Sequence, residues 1–156
     1  MDSLNQQLFN AVRIGDIPNI KSLLAQNADV NAQDEKGFTP LIIASYNNQA
    51  EAVKLLLRSG ALVNLSDMGG NTALMGVCFK GYPDIAELLI SHGADLNLQH
   101  GNGGTALMFA VLFGRNELAK IVLKYGADKT LRDFRGLNAM DIAIQQGNEE
   151  AVNLLQ

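Results

Sequence analysis

Two histidines, His92 and His100, are the residues of this 156-residue chain best suited to hold a metal or move a proton near neutral pH. Both fall in turn-like stretches, and a metal shared between them would need further ligands at a recognisable spacing. No cysteine or carboxylate joins them in such a pattern, so ordinary surface histidines are the plainer reading and no metal is expected. The one thiol, Cys78, has no histidine placed in sequence to activate it, and a single cysteine cannot form an intrachain disulfide. Gly69 and Gly70, and the run Gly101, Asn102, Gly103, Gly104, have the glycine content of a phosphate-cradling loop. They lack the Lys and Ser/Thr that follow in a P-loop, and no strand context surrounds them. With no clustered titratable groups, neither a catalytic residue nor a cofactor is expected.

The glycines have another origin. Gly37, Gly70, Gly103 and Gly136 are each 33 residues apart (70 − 37, 103 − 70, 136 − 103). The same step links Gly15, Asn48, Gly81, Gly114 and Gly147, and again Ala28, Ala61, Ala94 and Ala127. Three series at one period are the signature of a stacked repeat protein, because a unit this short has no room for a core of its own. The glycines then sit at hairpin tips that need positive φ. The recurring aspartates, at 29, 95 and 128 and at 34, 67 and 133, are turn-formers before they are chemistry.

The unit from Asp67 to Gln99 reads as a turn, a short helix, a second helix and another turn. Residues 34–66, 67–99 and 100–132 are full copies, flanked by an N-terminal cap at 1–33 and a C-terminal cap at 133–156. In the first cap, Asp2 or Ser3 can accept the free amides that begin a helix, and Leu4, Leu8, Phe9 and Val12 share one face. Pro18 suits the first turn of the next helix, Ile20, Leu23 and Leu24 form its buried stripe, and Asn27 stands where Gly60, Gly93 and Gly126 recur. Thr39 with Pro40, then Thr72, Thr105 and Asn138, start the first helices of the later units. Small residues at Ala44, Val77 and Ala110 let those helices approach, while Leu55 with Leu56, Leu88 with Leu89 and Ile121 with Val122 fill the space behind. Each such leucine contributes roughly 1.5 to 3 kcal/mol by burial. The last unit carries Gln145, Gln146, Asn148, Glu149, Glu150 and Asn153 as a polar outer face, so the chain is expected to be close to complete.

The runs GFTPLIIAS from Gly37, GNTALMGVC from Gly70 and SHGADLNLQ from Ser91 resemble the ankyrin repeat, with its T-P-L-H-x-A opening and its G-A-D-x-N turn. The resemblance covers essentially the whole chain. It implies one all-α solenoid of helix-turn-helix units with short hairpin-like turns. The chain departs from the pattern where the usual His of T-P-L-H is Ile42, Met75 and Met108, which weakens the expected ties within the turns. The TALM wording at Thr72 and Thr105 is similar to small free-standing prokaryotic members.

In that family, hairpin tips and the exposed edge of the first helix form a concave surface that meets partner proteins. Carried over residue by residue, the resemblance implies partner contacts at Arg13, Lys36, Phe38, Tyr46, Asn47, Met68, Asn71, Phe79, Lys80, Asn102, Leu112, Phe113, Phe134 and Arg135. Phe38, Tyr46, Phe79, Leu112, Phe113 and Phe134 are larger and more apolar than a solvated edge needs, and aromatic anchors typify binding hot spots. Packing between neighbouring first helices is the alternative reading for some of them, Phe109 foremost. Arg13, Lys36, Lys80 and Arg135 outnumber Glu35 on the same surface, although the chain as a whole carries −4. Acids concentrate instead on second helices, at Glu51, Asp84, Glu87, Glu117, Glu149 and Glu150. The expected partner is a protein with apolar knobs and an acidic rim.

A hydrophobic content of 47% with 18% charged residues supports a packed chain. No basic leader and no long apolar run open the sequence, so neither signal peptide nor membrane span is visible, and a cytoplasmic monomer is the expectation. The expected function is a non-catalytic protein-binding adaptor or inhibitor acting by steric occupation. A small-ligand binder or an enzyme with a site in the groove is the alternative, and weak nucleic-acid binding, disfavoured by net acidity, is the third.

Overall fold

The computed structural model describes residues 3–156. Among these residues ten helices follow one another in five packed pairs: α1 (Ser3–Ile14) with α2 (Ile17–Ala25), α3 (Pro40–Tyr46) with α4 (Ala50–Arg58), α5 (Ala73–Lys80) with α6 (Pro83–Ser91), α7 (Ala106–Leu112) with α8 (Asn116–Lys124), and α9 (Ala139–Gln145) with α10 (Glu149–Leu155). The odd-numbered helices stack on one another in chain order to form an inner row, and the even-numbered ones form an outer row behind them. Among the described residues the only strand-like pairing is an isolated antiparallel bridge between Ser66 and Thr72.

Helices of seven to twelve residues are too short to persist alone in water. Local caps and burial hold them. The hydroxyls of Thr39, Thr72 and Thr105 accept the N–H three residues on at 3.1, 3.3 and 3.2 Å, and Asn138 does the same for Asp141 at 2.9 Å. Met75, where the family's histidine is missing, places its sulfur 3.5 Å from the Thr72 N–H. At the N-terminus Asp2 lies outside the described residues, and Ser3 opens α1 with its hydroxyl accepting from Gln7. Asn27 and Asn48 adopt positive φ, 70° and 58°, in the places that glycine fills in the other units.

The core lies between the two rows. Ala44, Val77, Ala110 and Ala143, all with no exposed surface, allow successive inner helices to touch. Leu56, Leu89 and Val122 close the space behind them, equally buried, while Leu55, Leu88 and Ile121 are half-buried. The row of Ser45, Cys78 and Val111 faces the same core, and the Ser45 hydroxyl has no hydrogen-bond partner among the described residues.

Polar stitches run between units. The side-chain oxygens of Asn5, Asn31, Asn64 and Asn97 accept the N–H of Asp29, Leu62, Asp95 and Asp128 at 2.8 to 2.9 Å. Asn148 corrects the expectation of a wholly outward polar face on the last unit. It is half-buried and turned back, exchanging amide hydrogen bonds with Asn116 at 2.9 and 3.0 Å and donating to the Val111 carbonyl. Ile144, on α9, is 62% exposed where that face was expected to be polar.

Candidate functional site

The inner row and the hairpin tips that precede it form one open face. Three of the four tips are built on an acid that takes backbone N–H groups: Asp34 Oδ1 accepts from Lys36 and Phe38, Asp67 Oδ1 from Gly69 and Asn71, and Asp133 Oδ1 from Arg135 and Leu137. The tips are also tied to one another. Met68 N–H donates to the Lys36 carbonyl, Gly101 N–H to Gly69 and Phe134 N–H to Asn102, at 2.9 to 3.0 Å. This close approach demands glycine at 37, where φ is 83° and a Cβ would stand 2.7 Å from the Met68 nitrogen.

An aromatic ladder crosses the inner row. Tyr46 at the end of α3 lies parallel to Phe79 of α5, centroids 6.2 Å apart, and Phe79 meets the edge of Phe113 beyond α7 at 4.6 Å. Offset and edge-on pairs of this kind are favourable geometries for π-systems. The ladder remains open to solvent, with Tyr46 43% and Phe113 44% exposed. The Lys80 ammonium sits 4.9 Å from the Tyr46 ring centroid, within cation–π reach.

A groove of about 520 Å³ runs beside this ladder, with Arg13, Phe38, Tyr46, Asn47, Asn71 and Phe79 among its lining residues. A second, of about 400 Å³, includes Asn102, Leu112, Phe134 and Arg135. Lys36 borders a third that shares Arg13 and Phe38 with the first. Met68 and Phe134 are each 81% exposed at their tips. Phe38, Phe79 and Leu112 are half-buried, and so is Phe109, which packs against the core and meets the edge of His100 at 5.0 Å.

Three of the expected contact residues have structural tasks of their own. The Asn47 amide donates to the Ile43 carbonyl at the end of α3, the Asn71 amide to the Asp67 carboxylate, and the Arg135 guanidinium grips Asp133 at 2.8 Å. Arg13 and Lys36 have no ion-pair partner among the described residues, so the basic lean of this face rests on them and on Lys80. Several acids of the outer row are occupied locally. Glu51 pairs with Lys54, Glu150 with Lys120, and Glu87 accepts the Tyr125 hydroxyl.

The candidate chemical groups do not converge. His92 bonds the Leu88 carbonyl of its own helix end through Nδ1, and His100 is engaged in its hairpin. No group of three or more His, Cys, Asp or Glu among the described residues could hold a metal ion. Cys78 is fully buried, and burial pushes its thiol up to about 12, away from thiolate chemistry. No helix among the described residues is long and apolar enough to cross a membrane.

The feature that sequence reasoning missed is Gly76. It lies inside α5, where the equivalent positions 33 residues away are Ile43 and Phe109, and it lines the 520 Å³ groove. The signal was present as a glycine in a helix interior, a place that glycine disfavours.

Comparison with protein families agrees with the geometry. A family model described as ankyrin repeats (three copies) matches twice, over residues 8–100 and 75–156, which together cover nearly the whole chain. Repeats of this family are generally protein–protein interaction modules without enzymatic activity. No curated protein matches the chain.

Proposed function

The chain belongs to the ankyrin-repeat family, and from that premise we propose that it is a non-catalytic adaptor or inhibitor which binds another protein through the concave face of hairpin tips and inner helices. The observation that carries this reading is the Tyr46–Phe79–Phe113 ladder. Three aromatic rings paired in succession across three units, two of them more than 40% exposed, form an apolar surface that folding alone leaves unfinished. Arg13, Lys36 and Lys80 around it favour a partner with apolar knobs and an acidic rim. The units at 34–66, 67–99 and 100–132, with caps at 1–33 and 133–156, act as one rigid surface on a cytoplasmic monomer. The protein masks its partner by occupying it.

The test is affinity capture from lysate of the source cell, comparing the native protein with the triple variant Tyr46→Ala, Phe79→Ala, Phe113→Ala. Both baits must first show comparable helical melts by circular dichroism. The expected result is a protein retained by the native bait, lost from the folded triple variant, and kept by a variant of the outer row such as Arg58→Glu. Retention by both baits would move the binding surface elsewhere. Collapse of affinity between low and physiological salt would instead mark a nucleic-acid ligand.

A further inference from the structure

We propose that the notch at Gly76 receives a single apolar side chain of the partner protein, on a segment whose neighbouring carboxylate meets Arg13. This rests on the concave face being the protein-binding surface. Nothing in the backbone calls for glycine at 76, since it is not among the residues with positive φ. Nor does packing. A Cβ at 76 would meet only Tyr46 Cδ2, at 3.5 Å, an ordinary contact. Glycine within a helix is less stable than alanine, so this position loses stability and gains only open space. At the equivalent positions that space is taken by Ile43 and Phe109. Here Gly76 lies on the lining of the 520 Å³ groove, together with Tyr46, Phe79 and the buried Met75.

Charge selects the neighbour of that side chain. Arg13 is exposed on the groove lining and has no ion-pair partner among the described residues, and the Lys80 ammonium lies over Tyr46. The carboxylate on the lining, Asp67, has both oxygens occupied by the amides of its own turn, from Gly69 and Asn71. A carboxylate brought by the partner therefore meets an unanswered cation. Shape selects a polypeptide. Arg13 and Phe38 also line a second open groove, of about 770 Å³, along the first hairpin tip, where Asp29 and Asp34 take backbone N–H groups of their own turns and Glu35 adjoins Lys36, and two grooves that share lining residues suit an extended segment better than a compact ligand.

The test uses three blocked tripeptides, acetyl-Asp-Leu-Asp-amide, acetyl-Asp-Gly-Asp-amide and acetyl-Lys-Leu-Lys-amide, titrated into the labelled full chain and followed by amide and methyl NMR. Saturable shifts of the Gly76 amide and the Met75 methyl are expected with the first peptide only. They are expected to disappear in Gly76→Leu and to need about threefold more peptide in Arg13→Gln, the size of one exposed ion pair. Gly76→Ala, whose methyl fits, checks that loss follows filling of the notch and not misfolding; it should melt no lower than the native chain and retain weakened shifts. Equal shifts from the lysine or glycine peptide, no shift from any, or full shifts in Gly76→Leu would overturn the proposal. Partner capture separates the two levels. If the triple aromatic variant loses the partner while Gly76→Leu keeps it, the surface reading stands and the notch inference falls; if the triple variant keeps it, both fall.

Discussion

The imidazole of His100 accepts the backbone N–H of Gly104 through Nδ1 at 2.9 Å, in the hairpin position where Asp34, Asp67 and Asp133 each take two N–H groups on one carboxylate oxygen. This role is open only to the Nε2–H tautomer. The histidine is thus a turn residue in place of an aspartate, accepting one backbone N–H where each of its counterparts accepts two.

Replacing it should reveal that deficit. His100→Asp is expected to restore the second turn hydrogen bond and raise stability by about 1 kcal/mol, the net worth of one such bond, whereas His100→Ala should lower it by a similar amount. Chemical denaturation of the two variants decides the matter. A destabilised His100→Asp would mean that the edge contact of the ring with Phe109, at 5.0 Å, outweighs the turn.

Acid should weaken the fourth hairpin. Burial works against the charge on Asp133, but hydrogen bonds from the Arg135 guanidinium and from the backbone N–H groups of Leu137 and Arg135, together with the Arg135 charge, hold its carboxyl below the usual range. A group whose folded pKa is depressed contributes stability above its unfolded pKa of about 3.9 and loses it as pH falls through the folded value. Stability measured from pH 5 downward should therefore fall less steeply in Asp133→Asn than in the native chain. Parallel slopes would show that the carboxylate is not linked to folding.

At the other end of the pH scale the sign reverses. The Cys78 thiol, raised by burial to about 12, contributes stability that is intact below its unfolded pKa of about 8.5 and is lost as pH rises above it. Native protein should resist thiol reagents until it unfolds, and Cys78→Val, which copies Val111 one unit on, should flatten the alkaline limb of the stability curve. One unit earlier, Ser45→Ala should stabilise by about 1 kcal/mol, because the Ser45 hydroxyl is buried without a partner. A loss of stability in Ser45→Ala would show that the hydroxyl is satisfied in solution.

Core and surface should separate cleanly by mutation. Leu89→Ala, at a side chain with no exposed area, is expected to cost about 2 to 5 kcal/mol through lost transfer energy and the cavity left behind. Tyr46→Ala, at a ring 43% exposed, should cost less than Leu89→Ala, since it forfeits one aromatic pair of about 0.5 to 1.5 kcal/mol and the burial of only part of a side chain. Equal losses in urea unfolding would place Tyr46 in the core and leave the ladder with a packing role only.

The spacing of glycines and threonines made the solenoid legible, because caps and turns act over three or four residues and repeat wherever they are needed. Thr39, Thr72 and Thr105 cap their helices as their spacing implies, and Asn27 takes the left-handed conformation expected of a glycine substitute. Interactions between units were harder to read. The amide of Asn31 serves Leu62 and that of Asn148 reaches back to Asn116, and no local pattern announces a partner about 30 residues away. Side-chain engagement was hidden as well. Arg135 reads as a surface cation until its grip on Asp133 is seen, and Gly76 reads as a weak point in a helix until the neighbouring walls give it a volume.

The links between units also fix the lengths by which this chain can change. Excising residues 67–99 would remove Met68 and Gly69 but leave the Lys36 carbonyl facing the Gly101 N–H, the same pair displaced by one period (101 − 68 = 33). The asparagine stitch heals in the same way, Asn64 meeting Asp128 where it had met Asp95 (128 − 95 = 33). A cut that is not a whole number of periods strands both sets of donors. Insertions and deletions within the stack are thus quantised, and the ladder of rings on its face shortens or lengthens one rung at a time.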